Sequence, residues 1–168
     1  MTGGRVGVLF VCLGNICRSP LAKWVLVHQA QQRGVLDALD IDSCGTGHWH
    51  IGKAADARSV EVARRYGLAT PHCARQIDAA RDFKRFHWII AMDRDNRDGV
   101  LSLGTPAERV HLLRRFDPDL AGEPEHRLEV PDPYYGGAAG FEEVYAMVYR
   151  ACEGLLERIL EDLDAARG

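Results

Sequence analysis

Long apolar runs are missing from this chain. No stretch approaches the ~18 uninterrupted apolar residues of a membrane-spanning helix, so no membrane segment is expected. Blocks of positive charge are missing as well. Arg64-Arg65 and Arg114-Arg115 are short pairs in a chain of formal net charge -3, which argues against nucleic acid or a membrane surface as partner. Cysteine is sparse, and five residues at irregular spacing, an odd number, do not form a secreted disulfide framework. The opening Met1-Thr2-Gly3-Gly4-Arg5 has no signal-peptide core, so a reduced, cytoplasmic setting is the expectation. Internal repeats and low-complexity segments are also absent. So are the Gly-Lys-Ser/Thr ending of a Walker-type loop and the three spaced glycines of a dinucleotide fingerprint.

What is present is ordinary globular sequence, 46% apolar and 27% charged. A chain of 168 residues is expected to form one domain, 1–168, burying roughly 70% of its unfolded surface. Apolar residues at 5–11 lack polar alternation and suit a central parallel strand covered on both faces. Further strands are expected at 41–44, 87–92 and 110–113. Helices are expected at 20–33, with Ser19 as N-cap, Pro20 in first position and Gly34 at the end, and at 56–66, capped by Asp56 and closed by Gly67. A helical turn at 78–83, a helix from Asp93 to about residue 103 and a long helix from about Phe141 complete the pattern. That last helix carries the stripe Phe141, Val144, Val148, Cys152, Leu155, Ile159 and Leu163. Strands alternating with helices predict an α/β fold, a parallel sheet with helices on both faces. In such sheets ligands bind at the carboxyl ends of the strands.

One stretch sits at such an end: Cys12-Leu13-Gly14-Asn15-Ile16-Cys17-Arg18-Ser19-Pro20. A cysteine near a helix N-terminus and beside a guanidinium is favoured as the thiolate, the nucleophilic form. Backbone N–H groups curled around an anion, with the helix dipole behind them, suit a tetrahedral dianion. Gly14 allows close backbone approach, and Asn15 tolerates the left-handed conformation such a curl requires. Arg18 offers a planar fork matching two phosphate oxygens, which lysine could not do bidentately. Ser19 is placed to hydrogen-bond the sulfur. Cysteine alone at a strand end is usually core; with Arg18, Ser19 and a glycine in a strand-to-helix turn, that bland reading loses.

Transfer of phosphate to sulfur needs a proton for the departing oxygen. Asp132, in Pro131-Asp132-Pro133-Tyr134-Tyr135-Gly136-Gly137, is the favoured donor, its backbone restricted by the flanking prolines and its carboxyl expected to be partly enclosed by rings. Asp117-Pro118 has the same local look, and Asp-Pro is a common turn opener. Only the adjacent tyrosines, which could line a slot for an aromatic substrate, tilt the choice to Asp132.

Taken together, the loop 12–20 and Asp132-Pro133-Tyr134-Tyr135-Gly136 resemble the low-molecular-weight protein tyrosine phosphatase family, with Ser43, His72 and Asp93 also fitting its pattern. The resemblance covers roughly residues 5 to 160. It implies a four-stranded parallel sheet with the phosphate loop after the first strand, and a two-step reaction using no metal or cofactor. Cys12 would form a phosphocysteine while Asp132 protonates the leaving oxygen and then activates water. Arg18 and the amides of Leu13, Gly14, Asn15, Ile16 and Cys17 would hold the phosphate. Asn15, Ser19, Ser43, His72 and Asp93 would support the loop. Trp49, Tyr134 and Tyr135 would wall the slot, and Cys17 would be a partner for a protective disulfide. The partners implied are tyrosine-phosphorylated proteins and, in bacteria, a tyrosine kinase. Oligomeric state is not readable. The segment 121–130 is longer and more acidic than the common pattern, and Cys44 and Cys73 have no assigned role.

Three other readings compete. Thiol-dependent arsenate reductases use the same loop but need further cysteines near the third strand, and 81–97 has none. Structural zinc on Cys44, His48, His50, His72 and Cys73 matches no common spacing. A silent phosphotyrosine-binding module needs neither Cys12 nor Asp132.

Overall fold

A computed structural model describes residues 4–68 and 70–167. Four parallel strands form one sheet: β1 (Val6–Cys12), β2 (Leu39–Gly45), β3 (Trp88–Ala91) and β4 (Val110–Leu112), in the order β2-β1-β3-β4. The α/β expectation with helices on both faces is what forms. β1 lies inside the sheet and is buried at every position, which is why its sequence shows no polar alternation. Successive side chains still alternate. Val6, Val8, Phe10 and Cys12 join the core beneath α1 (Arg18–Gln32) and α5 (Ala138–Arg167). Leu9 and Val11 join Phe86, Val100 and Val110 on the side of α3 (Ala79–Arg85) and α4 (Arg94–Leu101). α2 (Ala57–Arg65) packs on the α1–α5 side through Val62 and Ala63.

The helix ends follow local chemistry. Asp56, Asp78 and Asp93 each accept hydrogen bonds from the first turn of α2, α3 and α4. Gly34, at φ +68°, stops α1 in the left-handed region. Ser19 is not the cap expected of it. α1 starts at Arg18, its N-cap Cys17 offers no capping side chain, and Pro20 is the third helical residue. The Ser19 hydroxyl meets Cys12 Sγ, Asn15 Nδ2 and the Cys44 carbonyl instead. α5 begins at Ala138, three residues before the apolar stripe, and Phe141, Val144, Val148, Cys152, Leu155 and Ile159 of that stripe are buried. β4 ends at Leu112, one residue short of the expected 110–113, and the chain after it holds three short 3-10 turns, Leu113–Phe116, Pro118–Leu120 and Glu125–Arg127. Among the described residues no helix is long and apolar enough to cross a membrane.

Candidate active site

The turn from β1 into α1 is bound from outside by its carbonyls. The Cys12 carbonyl accepts from Thr46 N–H at 2.9 Å, Leu13 from Gly47 N–H at 2.8 Å, and Ile16 from Asp56 N–H at 2.8 Å. The Cys17 carbonyl accepts from the Ser59 hydroxyl at 3.2 Å, and the Asn15 carbonyl meets His72 Nε2 at 2.7 Å. In a trans peptide the C=O and the next N–H point in opposite directions. Carbonyls turned outward therefore turn the N–H groups of Leu13, Gly14, Ile16, Cys17 and Arg18 inward. Among the described residues the N–H groups of residues 13–17 have no acceptor in the protein. The result is a ring of unpaired donors at a helix N-terminus, a cradle for an oxyanion.

Asn15 is the pin of this curl. It is the one non-glycine among the described residues with positive φ, +58°. Its buried side chain explains the tolerance: Nδ2 donates to Ser19 Oγ (2.8 Å) and Ser43 Oγ (3.0 Å), and Oδ1 accepts from Arg75 N–H (2.9 Å). Gly45, at the end of β2, permits the close approach. A Cβ there would lie 2.6 Å from the Leu13 carbonyl oxygen and 3.1 Å from Asn15 N.

Cys12 Sγ lies 2.9 Å from Ser19 Oγ, which is also 3.3 Å from the Cys44 carbonyl. The hydroxyl can donate to that carbonyl when the sulfur is a thiol, and turn to donate to the sulfur when it is a thiolate. Arg18 is almost fully buried. Its Nη1 donates to Asp93 Oδ2 (2.7 Å) and the Val130 carbonyl (2.9 Å), and its Nη2 lies 3.6 Å from Asp132 Oδ2. Burial works against its charge, but Cys12, Asp93 and Asp132 outweigh that, and the Arg18 pKa lies above the usual guanidinium value. Asp93 thus both caps α4 and aims Arg18.

The structure separates the two Asp-Pro candidates. Val130 N–H donates to the Met92 carbonyl (2.7 Å) just beyond β3, which carries the segment 130–132 to the mouth of the loop. Asp132 lines the same cleft of about 390 Å³ as Cys12, Arg18, Trp49, Tyr134 and Tyr135. Asp117 is buried elsewhere, accepting from Asp119 N–H and paired with Arg150 at 3.4 Å. The enclosure expected around Asp132 is more open than anticipated: its side chain is 38% exposed. Trp49 is 61% exposed and stacks on His48 at 5.2 Å, and Tyr135, 93% exposed, meets Tyr134 edge-on at 4.9 Å. Leu13 is exposed at the same rim, so the aromatic residues form a mouth rather than a closed slot.

Sequence reasoning passed over Arg58, Asp56 as a site residue, and Arg75. Arg58 reaches the 132–136 segment, and Asp56 faces Cys17, whose thiol is pushed up to about 12, chiefly by burial and then by the Asp56 charge. Arg75 bridges Asp42 and Asp82 beneath Asn15. Pairing between distant parts of the chain brings these into view, as with Arg58 and Tyr134, 76 apart, and Arg75 and Asn15, 60 apart. Cys44 is buried on β2, on the α3–α4 face of the sheet, whereas Cys73 is exposed. Among the described residues no group of three or more His, Cys, Asp or Glu is placed to hold a metal ion, so the Cys44–His48–His50–His72–Cys73 set does not converge.

Comparison with known proteins agrees with this geometry. A family model for low molecular weight phosphotyrosine protein phosphatases matches residues 7–165. The low molecular weight protein-tyrosine phosphatase A of Mycobacterium tuberculosis (strain ATCC 25618 / H37Rv) is 42% identical over 156 residues, covering 93% of each chain. A protein tyrosine phosphatase from Entamoeba histolytica, solved with Hepes in its active site, superposes with TM-score 0.85 at 36% identity, over 94% of this chain and 98% of that one. A Drosophila arginine phosphatase superposes with TM-score 0.81 at 32% identity, over 90% and 96% of the two chains. With a parallel sheet that ends in such a cradle, and matches over nearly its whole length, the chain belongs to the low molecular weight phosphotyrosine protein phosphatase family.

Proposed function

We propose that this chain hydrolyses phosphotyrosine through a phosphocysteine intermediate, with Asp132 as general acid and then general base. One observation carries the reading: Cys12 Sγ sits beneath inward-facing amides, with Arg18 and Asp132 on the same cleft and only 3.6 Å apart. In the first step the sulfur attacks phosphorus in line with the aryl oxygen. The S–P bond forms as the P–O bond breaks, and Asp132 gives its proton to the leaving phenolate. Arg18 and the amides hold the three remaining oxygens, where charge is greatest in transfer. Water deprotonated by Asp132 then attacks the phosphocysteine, releasing phosphate and the thiolate, which Ser19 Oγ stabilises. Every step uses the chain's own residues.

Leu13, Trp49, Tyr134 and Tyr135 give the mouth an apolar rim, which supports an aryl phosphate on a protein chain over phosphoserine. Residues 1–168 work as one domain, in the cytoplasm, and a bacterial-type tyrosine kinase is the opposing activity. The ion pair of half-buried Asp93 with buried Arg18 serves orientation and leaves the second guanidinium edge for phosphate.

The test is direct. Cys12→Ser abolishes hydrolysis of 4-nitrophenyl phosphate while retaining inorganic phosphate binding, and Asp132→Ala lowers kcat by about 10²–10⁴. Unchanged hydrolysis in either variant defeats the mechanism. Phosphoarginine and arsenate with thioredoxin are the substrates to run alongside; faster turnover of either would replace phosphotyrosine.

A further inference from the structure

The segment that carries Asp132 has little to hold it. Pro131 and Pro133 have no N–H to donate, and Tyr134, Tyr135, Gly136 and Gly137 are exposed. Within the loop, Tyr134 N–H donates to Asp132 Oδ1 (3.0 Å) and Gly136 N–H to the Pro133 carbonyl (2.9 Å). Among the described residues a single outside side chain hydrogen-bonds the backbone of 131–137. Arg58 Nη2 donates to the Tyr134 carbonyl and Nη1 to the Gly136 carbonyl, each at 2.8 Å.

The Arg58 fork is itself held. Nε (3.1 Å) and Nη2 (3.0 Å) bind the two oxygens of Asp56, which also accepts the Arg58 backbone N–H and so caps α2. The guanidinium lies over the buried Phe141 ring, 4.5 Å from its centroid, at the start of α5. One planar group thus ties the N-terminus of α2, the entry to α5 and two loop carbonyls together. Residue 134 transmits the tie: its carbonyl is gripped by Arg58, and its N–H grips the Asp132 carboxylate. Lysine has no such fork and could not serve all of these acceptors from one position.

We propose that Arg58 is a positioning residue for the general acid, holding the 132–136 segment so that the Asp132 carboxyl stays over the cleft. This rests on the reading of Asp132 as the acid. Arg58 touches no reacting atom and acts through Tyr134. Loss of the tie spares the bonds that hold the phosphate cradle, because none of them runs through the guanidinium: Asn15, Ser43 and His72 hold one side, and Asp56 N–H and the Ser59 hydroxyl hold the Ile16 and Cys17 carbonyls. What is lost is the timing of the proton.

The readout is the dependence of kcat/KM on the leaving group, which a role in stability alone does not change. Phenol, with a pKa of about 10, needs a proton to leave, whereas dinitrophenolate does not. We expect R58Q to lower kcat/KM for phenyl phosphate by about tenfold or more, a fraction of what a general acid supplies, and to leave dinitrophenyl phosphate nearly unchanged. D132A shows the same bias more strongly, and R58Q adds nothing in the D132A background. R58K, which keeps the cation without the fork, behaves like R58Q and serves if the glutamine variant folds poorly. Inhibition by inorganic phosphate is unchanged in both. If D132A is biased against phenyl phosphate and the Arg58 variants are not, the positioning role is wrong and the acid assignment stands. If D132A itself shows no bias, both fall.

Discussion

At the scale of single residues, the cradle depends on one strained position and the bonds that maintain it. Asn15 holds φ +58° because three side-chain hydrogen bonds and its carbonyl bond to His72 leave it no alternative. Truncation in Asn15→Ala leaves Arg75 N–H and the Ser43 hydroxyl short of a partner inside the protein. The cost is about 1–3 kcal/mol, together with a large fall in kcat as the amides lose their common aim. Thermal melts and steady-state rates check this; a variant that is equally active excludes the pin. A second residue-scale prediction concerns Cys17. Its pKa of about 12 keeps it a thiol at neutral pH, while thiolates are what alkylate. Iodoacetamide at pH 7.5 therefore leaves Cys17 unmodified in the folded protein, as peptide mass mapping would show, and an adduct there under native conditions contradicts its burial. The same residue scale marks where the sequence was readable. Cys12, Asn15, Arg18 and Ser19 are contiguous, so their chemistry declares itself in one window. Of the two roles expected of Ser19, the hydrogen bond to the sulfur forms and the helix cap does not, because its hydroxyl already meets Cys12, Asn15 and the Cys44 carbonyl.

At the scale of elements, the site is an agreement among segments that local sequence does not connect. Asp132 and Asp117 look alike in their own windows, and what distinguishes them is Val130 pairing with Met92 against Asp117 turning inward to Arg150. Arg58 on α2 and Arg75 between α2 and α3 contribute only through such pairings, hence their silence in the sequence. His72 is the clearest case of an element acting on the loop from a distance. Burial lowers its pKa below the ordinary 6.5, and the bond to the Asn15 carbonyl opposes this only in part. The native state thus favours neutral imidazole. Its contribution to stability is fully present above about pH 6.5 and is lost as pH falls through the lower folded value. His87 and His111 are lowered by burial with the same sign, so the comparison must be with a variant. His72→Gln retains a donor for Asn15 yet cannot titrate. Its denaturation free energy should lose less than wild type between pH 7 and pH 5, by up to about 1.4 kcal/mol per pH unit at the steepest point. Parallel pH curves for the two proteins would show that His72 takes no part.

Across the whole molecule, the layering separates chemistry from support. The sheet order β2-β1-β3-β4 puts the carboxyl ends of β1, β2 and β3 side by side, and Cys12, Gly45 and the Met92-Asp93 pair meet there. The parallel sheet and the two-sided covering were legible from the strand–helix alternation and the unbroken apolar character of β1. The strand order was not, since it follows from how the α1–α5 and α3–α4 layers share the sheet. α5 illustrates the division of labour. Its first turns stand beside the 132–136 segment, while Leu155, fully buried, packs in the core beneath α1 several turns along the helix. Its side chain contributes by filling that core and lines no part of the cleft that holds Cys12, Arg18 and Asp132. Leu155→Ala should therefore cost about 2–5 kcal/mol of stability by transfer and cavity terms. Well below the melting temperature it should leave kcat and KM for 4-nitrophenyl phosphate unchanged. A fall in kcat without a matching loss of folded protein would mean instead that the core beneath α1 reports to the cradle, through the buried cluster that Cys12, Ile16 and Cys17 share with Leu155.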